Sequence, residues 1–253
     1  MAYVGRPGAR IWYEERGRGT PVLLSHGYGA TSRMWEPQVR GLAERCRLIF
    51  WDILGHGSSD APDDPAAYSA EASVAAMTAI LDACDVGTAV VGGLSLGGYL
   101  SLAFHLAHPE RVRALMLFDT GPGYRNEDGR RRWNAMAESY AGALEERGLA
   151  ALGSGGEVRA AEHRSARGLA LAARGILAQR DSRVIDSLPD VRVPTLVLWG
   201  ERDEAFVKPG EYMAAKIAAA RRAVVAGAGH AANLDRPDEF NAAVCEFVDA
   251  LGT

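Results

Sequence analysis

A serine hydroxyl is a weak nucleophile, useful only when a base stands beside it and the backbone holds it clear of its neighbours. Ser95 lies in the stretch Val90-Val91-Gly92-Gly93-Leu94-Ser95-Leu96-Gly97-Gly98. The apolar, β-branched start reads as a buried strand, and the Leu- and Ala-rich run from Tyr99 to Leu106 reads as a helix. A serine bounded by Gly93 and Gly97 at a strand-to-helix turn sits in a strained conformation with its hydroxyl exposed at the sheet edge. The helix N-terminus then aims its free N–H groups at the same point. Attack on an acyl carbonyl is the chemistry this arrangement suits.

The base must come from six histidines: His26, His56, His105, His108, His163 and His230. His105 and His108 lie on or just after the helix behind Ser95 and point away from its first turn. His163 falls in a region without strands. His26 and His56 follow strands, but each precedes a glycine and reads as structural. His230, in Gly227-Ala228-Gly229-His230, follows the last strand and precedes the last helix. In an open α/β sheet that loop faces the same carboxyl edge as Ser95. Two acids end strands on that edge and could hold the imidazole in its tautomer, Asp203 after Leu196-Val197-Leu198-Trp199-Gly200-Glu201-Arg202 and Asp119 after Leu115-Met116-Leu117-Phe118. Glu201 and Asp235 read as surface groups. An oxyanion needs two aimed N–H donors. The Leu96 amide supplies one and the Tyr28 amide, in the turn His26-Gly27-Tyr28-Gly29, supplies the other.

The elements that must position these groups alternate along the chain. Strand character appears at Ala9 to Glu14, Val22 to Ser25, Arg47 to Asp52, Arg113 to Phe118, Thr195 to Trp199 and Ala223 to Val225, besides the strand into Ser95. Helices are expected from Ser32 to about Glu44, after Ser69, after Ser95 up to Pro109, and from Pro237 to Leu251. The alternation predicts an α/β fold with a mostly parallel central sheet flanked by helices. Residues 120–189 break the rhythm with helical patterns alone, too long for an ordinary crossover. They predict a helical insertion over the sheet edge, with residues 1–119 and 190–253 as the core. Gly153-Ser154-Gly155-Gly156 interrupts the insertion and reads either as a joint that lets it open and close over Ser95 or as a floppy surface loop on a rigid cap.

With 253 residues, 48% of them hydrophobic, and a net charge of -4, the chain suits one large domain without a nucleic-acid or membrane partner. The N-terminal Met1-Ala2-Tyr3-Val4-Gly5-Arg6-Pro7 has no apolar signal region, so a cytoplasmic location is expected. Cys46, Cys84 and Cys245 are odd in number and far apart, which points to free thiols near helix ends or interiors and not to a disulfide frame or a metal site.

These motifs together resemble the α/β-hydrolase family. The resemblance covers residues 22–251 and rests on His26-Gly27-Tyr28-Gly29, Asp52-Ile53-Leu54-Gly55-His56-Gly57-Ser58-Ser59, Gly93-Leu94-Ser95-Leu96-Gly97-Gly98, Gly200-Glu201-Arg202-Asp203 and Gly227-Ala228-Gly229-His230, in the family's order. It implies an α/β-hydrolase fold whose helical cap is the insertion, and a catalytic set Ser95, Asp203 and His230, with Asp119 matching a place some members use for the acid. No metal and no cofactor is implied. Haloalkane dehalogenases and epoxide hydrolases use an aspartate nucleophile, where this chain has Ser95. Cofactor-free haloperoxidases and perhydrolases tend to have a proline soon after the His-Gly pair, where Gly29 and Ala30 follow Tyr28. Carbon–carbon hydrolases often carry an aromatic residue after the catalytic histidine, where Ala231 follows His230. A hydrolase of a small, partly apolar carboxylic ester, lactone or thioester is then the leading expectation. A carbon–carbon hydrolase or enol-lactonase acting on an anionic ring-cleavage product is the alternative; a perhydrolase or a non-catalytic receptor stands behind both.

The expected partner is a small-molecule substrate, and self-association is left open. Tyr28, Gly29, Tyr124, Trp133, Met136, Tyr140 and Phe206 are the expected pocket wall, mostly aromatic or apolar, with a phenol or indole N–H for orientation. Arg125, Arg130, Arg131 and Arg132 form a basic cluster that reads either as a solvated helix face or as a clamp for a substrate carboxylate.

Overall fold

The computed structural model describes residues 1–6 and 8–252. Its strands are β1 (Ala2–Arg6), β2 (Ala9–Gly17), β3 (Thr20–Ser25), β4 (Cys46–Trp51), β5 (Ala89–Leu94), β6 (Val112–Phe118), β7 (Thr195–Gly200) and β8 (Ala220–Val225). They form one eight-stranded sheet in the order β1-β2-β4-β3-β5-β6-β7-β8. The β1–β2 and β2–β4 pairings are antiparallel and all the others parallel. The helices are α1 (Glu36–Leu42), α2 (Ala70–Ala83), α3 (Leu96–Ala107), α4 (Glu127–Arg147), α5 (Gly156–Arg159), α6 (Ala166–Ala172), α7 (Arg183–Asp186), α8 (Val207–Lys216), α9 (Ala232–Asp235) and α10 (Pro237–Asp249).

Period-two alternation divides the core between the sheet's two faces. Along β6, Leu115 and Leu117 join Met77, Ile80, Leu100 and Phe104 of α2 and α3. Met116 and Phe118 join Trp35, Leu42, Phe240, Val244 and Phe247 on the α1 and α10 side. Every residue of β5 and β7 is buried, as parallel strands covered on both faces require. Residues 120–194 contribute no strand and pass over the sheet edge as α4 to α7. Within them Ala141, Leu144, Leu169, Ala170 and Ala173 form a small apolar cluster of their own, holding α4 against α6. Asn126 starts α4 by accepting the Gly129 N–H at 2.6 Å, and Ser69 starts α2 by accepting the Ala72 N–H at 3.0 Å. Among the described residues no helix is long and apolar enough to cross a membrane.

Several expectations about elements are corrected. The segment before Pro7 is an edge strand, β1, paired with β2. Strand β8 begins at Ala220, ahead of the expected Ala223, because its Arg221 and Arg222 lie exposed on the sheet's outer edge and carry no hydrophobic signal. Ser32 opens a short 3-10 turn to Trp35, and its N–H is held by Asp52 Oδ1 at 2.8 Å; α1 follows and ends at Leu42. Helix α8 was not anticipated. Cys46 begins a strand and is not at a helix end. Cys46 and Cys84 are buried, Cys245 half-buried, and all three are free thiols.

Candidate active site

Strand β5 delivers Ser95 and α3 begins at the next residue. Ser95 has φ 55° and ψ -116°, a conformation costing a non-glycine residue about 1–3 kcal/mol and held only by its surroundings. Its N–H donates to Phe118 O at 2.9 Å. Its carbonyl accepts from Gly98 N, Tyr99 N and, at 2.6 Å, the Thr120 hydroxyl. The flanking glycines are required by proximity. A Cβ on Gly93 would lie 2.5 Å, and on Gly97 2.1 Å, from the Ser25 carbonyl oxygen.

His230 stands in the loop between β8 and α9, and its Nδ1–H donates to Asp203 Oδ2 at 2.7 Å. Nε2 is thereby left as the acceptor. Asp203 is 6% exposed, and the Phe206 ring stacks on the imidazole with centroids 5.0 Å apart. Ser95 and His230 line the same cavity. No hydrogen bond joins the two side chains; in serine hydrolysis such a contact is often long until substrate is bound.

Of the two acids, Asp203 therefore faces the imidazole. Asp119 is fully buried at the end of β6, with φ 43°. Its Oδ1 accepts the Gly200 N–H at 2.7 Å, tying β6 to β7, and its Oδ2 has no partner among the described residues. Burial first, then the neighbouring Asp203, pushes its pKa well above the usual carboxylate range. Asp119 thus ties the ends of β6 and β7 together, while Asp203 meets the imidazole.

The Leu96 amide is in the first turn of α3, where helix N–H groups have no intrahelical acceptor. The Tyr28 amide has no protein acceptor among the described residues, and its turn lies close to Ser95: a Cβ on Gly27 would sit 3.5 Å from Ser95 Cβ. Three histidines fix that turn. His26 Nδ1–H donates to Gly27 O at 2.7 Å and its Nε2 accepts from Ile53 N at 2.9 Å. His56 Nε2 accepts from Gly29 N at 3.2 Å. His163 Nε2–H donates to Gly29 O at 2.9 Å while its Nδ1 accepts from Gly57 N at 3.2 Å. All three must be neutral to accept these amides, and burial enforces it, lowering His26 to about 4 and His56 and His163 below the ordinary imidazole value. The part played by His163 is not legible in its sequence neighbourhood, since its partner Gly29 is 134 residues away.

The cavity holds about 730 Å³, and Tyr28, Gly29, Tyr124, Trp133, Met136, Tyr140 and Phe206 all line it. The expected orienting groups are partly corrected. The Trp133 indole N–H is committed to Leu177 O at 2.8 Å, and the Tyr28 phenol to Leu169 O at 2.9 Å. Tyr28 supplies a ring instead, stacked on Tyr140 with centroids 6.0 Å apart. Gly153 and Gly155 of the expected joint reach the cavity, between the end of α4 and α5. The basic cluster does not line it. Arg125 pairs with Asp186 at 2.6 Å, Arg130 donates to the carbonyls of Arg125 and Tyr124, and Arg131 pairs with Asp128. These are contacts of a solvated helix face. Missed from sequence, and on the wall, are Tyr99, Thr120, Leu144, Leu177 and Gln179.

The model of the Alpha/beta hydrolase family matches residues 22–243. The chain is 37% identical over 129 residues to the putative carbamate hydrolase RutD of Azorhizobium caulinodans, a match covering 51% of this chain and 47%, about half, of that protein. It is 28% identical to 3-oxoadipate enol-lactonase 1 of Acinetobacter baylyi over 91% of this chain and 89% of that one. A thermophilic esterase from Thermogutta terrifontis superposes with a TM-score of 0.84 at 27% identity, covering 100% of this chain and 99% of that one.

Proposed function

Since the chain belongs to the alpha/beta hydrolase family and is a hydrolase, we propose that it cleaves a carboxylic ester or lactone of a small, partly apolar molecule through an acyl-enzyme at Ser95. The observation that carries this reading is the placement of Ser95 and the Asp203-bound His230 on one cavity, which Tyr28 and Leu96 also line. Ser95 Oγ attacks the acyl carbonyl while His230 Nε2 takes its proton. The carboxylate of Asp203 stabilises the imidazolium. The Leu96 and Tyr28 amides receive the charge that develops on the carbonyl oxygen. His230 returns the proton to the leaving alcohol or enol oxygen, the C–O bond breaks, and the acyl group stays on Ser95. Water, deprotonated by His230, then releases the acid. An enol-lactone, as named for the Acinetobacter relative, is a substrate of the same chemistry.

The wall is mostly aromatic and aliphatic, and the one arginine on it among the described residues, Arg147, is exposed. A substrate carboxylate would have to shed water there without a buried cation to meet it. A neutral short-chain aryl ester should therefore exceed its carboxylate-bearing counterpart in kcat/KM by about tenfold or more, equivalent to at least ~1.4 kcal/mol. Arg125→Ala and Arg130→Ala should leave that ratio unchanged. Preference for the acid, lost in either variant, would restore the clamp and the anionic ring-cleavage substrate.

A further inference from the structure

The cavity wall contains one polar side chain that is over nine-tenths buried, carries a spare donor and is not part of the proposed acyl-transfer machinery. Gln179 is 6% exposed and lines the cavity. Its position is fixed to a degree that packing alone does not require. The Asn134 carboxamide on α4 reads its backbone twice, accepting the Gln179 N–H at 2.8 Å and donating to the Gln179 carbonyl at 2.9 Å. Two residues earlier, the Leu177 carbonyl is held by the Trp133 indole. The segment leading in, Ala173–Leu177, is a π turn closed by Ala178 N–H to Ala173 O at 3.0 Å, a departure from α geometry that shifts the register of everything after it.

The side chain is pinned as well. Gln179 Oε1 accepts the Tyr124 N–H at 3.2 Å, which settles which end of the carboxamide is oxygen. Gly123, with φ +89°, makes room for it: a Cβ there would come within 2.9 Å of that oxygen. Nε2 has no acceptor among the described residues, and the side chain it ends lines the cavity. An amide N–H₂ held this firmly and facing an apolar space is preorganised for an acceptor that the protein does not supply.

We propose that Gln179 is a specificity-determining residue whose Nε2 donates to a neutral oxygen of the substrate, a ketone, hydroxyl or ether, placed away from the scissile carbonyl. The proposal rests on the hydrolase reading above and deepens it, naming the substrate class as oxygen-bearing esters or lactones and not plain alkanoyl ones. The donor is uncharged, and among the described residues no lysine or arginine on the cavity wall is buried, so a neutral acceptor fits better than an anion. A plain alkyl chain would leave the N–H₂ desolvated and unpaired.

The test compares p-nitrophenyl hexanoate with its keto-bearing counterparts, the ketone carried at successive chain positions. The wild-type protein should favour one ketone position over the plain ester by about tenfold in kcat/KM, the worth of one hydrogen bond between uncharged groups. In Gln179→Leu that ratio should fall toward unity. Gln179→Glu keeps the acceptor for Tyr124 N–H and the side-chain size, and so guards against a simple folding defect; it too should lose the preference, because its carboxylate repels the ketone oxygen. Equal kcat/KM for all the esters in the wild type, or a ratio unchanged in both variants, overturns the proposal while leaving the hydrolase reading intact. Turnover of none of the esters, with no covalent labelling of Ser95, removes the hydrolase reading and this inference with it.

Discussion

Asp203→Asn should lower kcat for a neutral aryl ester by about 10⁴-fold, while Asp119→Asn should cost less than about tenfold. Both are buried aspartates on one sheet edge, Asp119 directly after β6 and Asp203 three residues beyond β7; that offset puts Asp203 in reach of His230 but does not by itself set the cost of losing either carboxylate. Their environments do. The Asp203 carboxylate accepts from His230 Nδ1 at 2.7 Å, which keeps Nε2 available as base and steadies the imidazolium. An amide at that position can present its N–H₂ to Nδ1, and the ring then holds the wrong tautomer. Asp119 spends one oxygen on the Gly200 amide and burial pushes its pKa up, so an asparagine there keeps the shape and the acceptor for that amide. Steady-state kinetics on variants of matched melting temperature make the comparison. A severe Asp119→Asn and a mild Asp203→Asn would reverse the assignment.

Ser95→Ala and His230→Ala should each lower kcat by about 10⁶-fold, and the double variant should be no worse than either. A hydroxyl without a base, or a base without a hydroxyl, performs no step of the reaction, so the second loss removes nothing further. The residual rate comes from the Leu96 and Tyr28 amides and from substrate binding, which both variants keep. Additive losses would mean that one of the residues acts outside a common step.

Much of the framework was legible because its signals are local. The strand into Ser95, the glycines around it and the helix beyond follow one another without a gap, and the steric demand at Gly93 and Gly97 is written in residue type. Buried parallel strands such as β5 and β7 announce themselves as apolar runs. Strand β1 and the start of β8 were missed for the opposite reason. Both lie at sheet edges, where side chains meet water and backbone pairing alone defines the strand. The pocket residues Tyr124, Trp133, Met136, Tyr140 and Phe206 could be named from their types, but not what their polar atoms do. The Trp133 indole finds a carbonyl 44 residues on and the Tyr28 phenol one 141 residues on, and no spacing rule anticipates either. The same holds for the arginines after Gly123, whose partners are set by the path of α4 and α7. Gln179 carries no motif at all. Its significance comes from Asn134, Tyr124 and Gly123 converging on it in space.

The central claim is that an acyl group passes through Ser95. Incubating the folded protein with an alkyl fluorophosphonate, then mapping the modified peptide by mass spectrometry, tests it without reference to any particular substrate. The account predicts one phosphonyl group per chain, on Ser95, with loss of esterase turnover in step with labelling and no labelling of Ser95→Ala. A folded protein that turns over an aryl ester while Ser95 stays unmodified and another residue carries the label would contradict it.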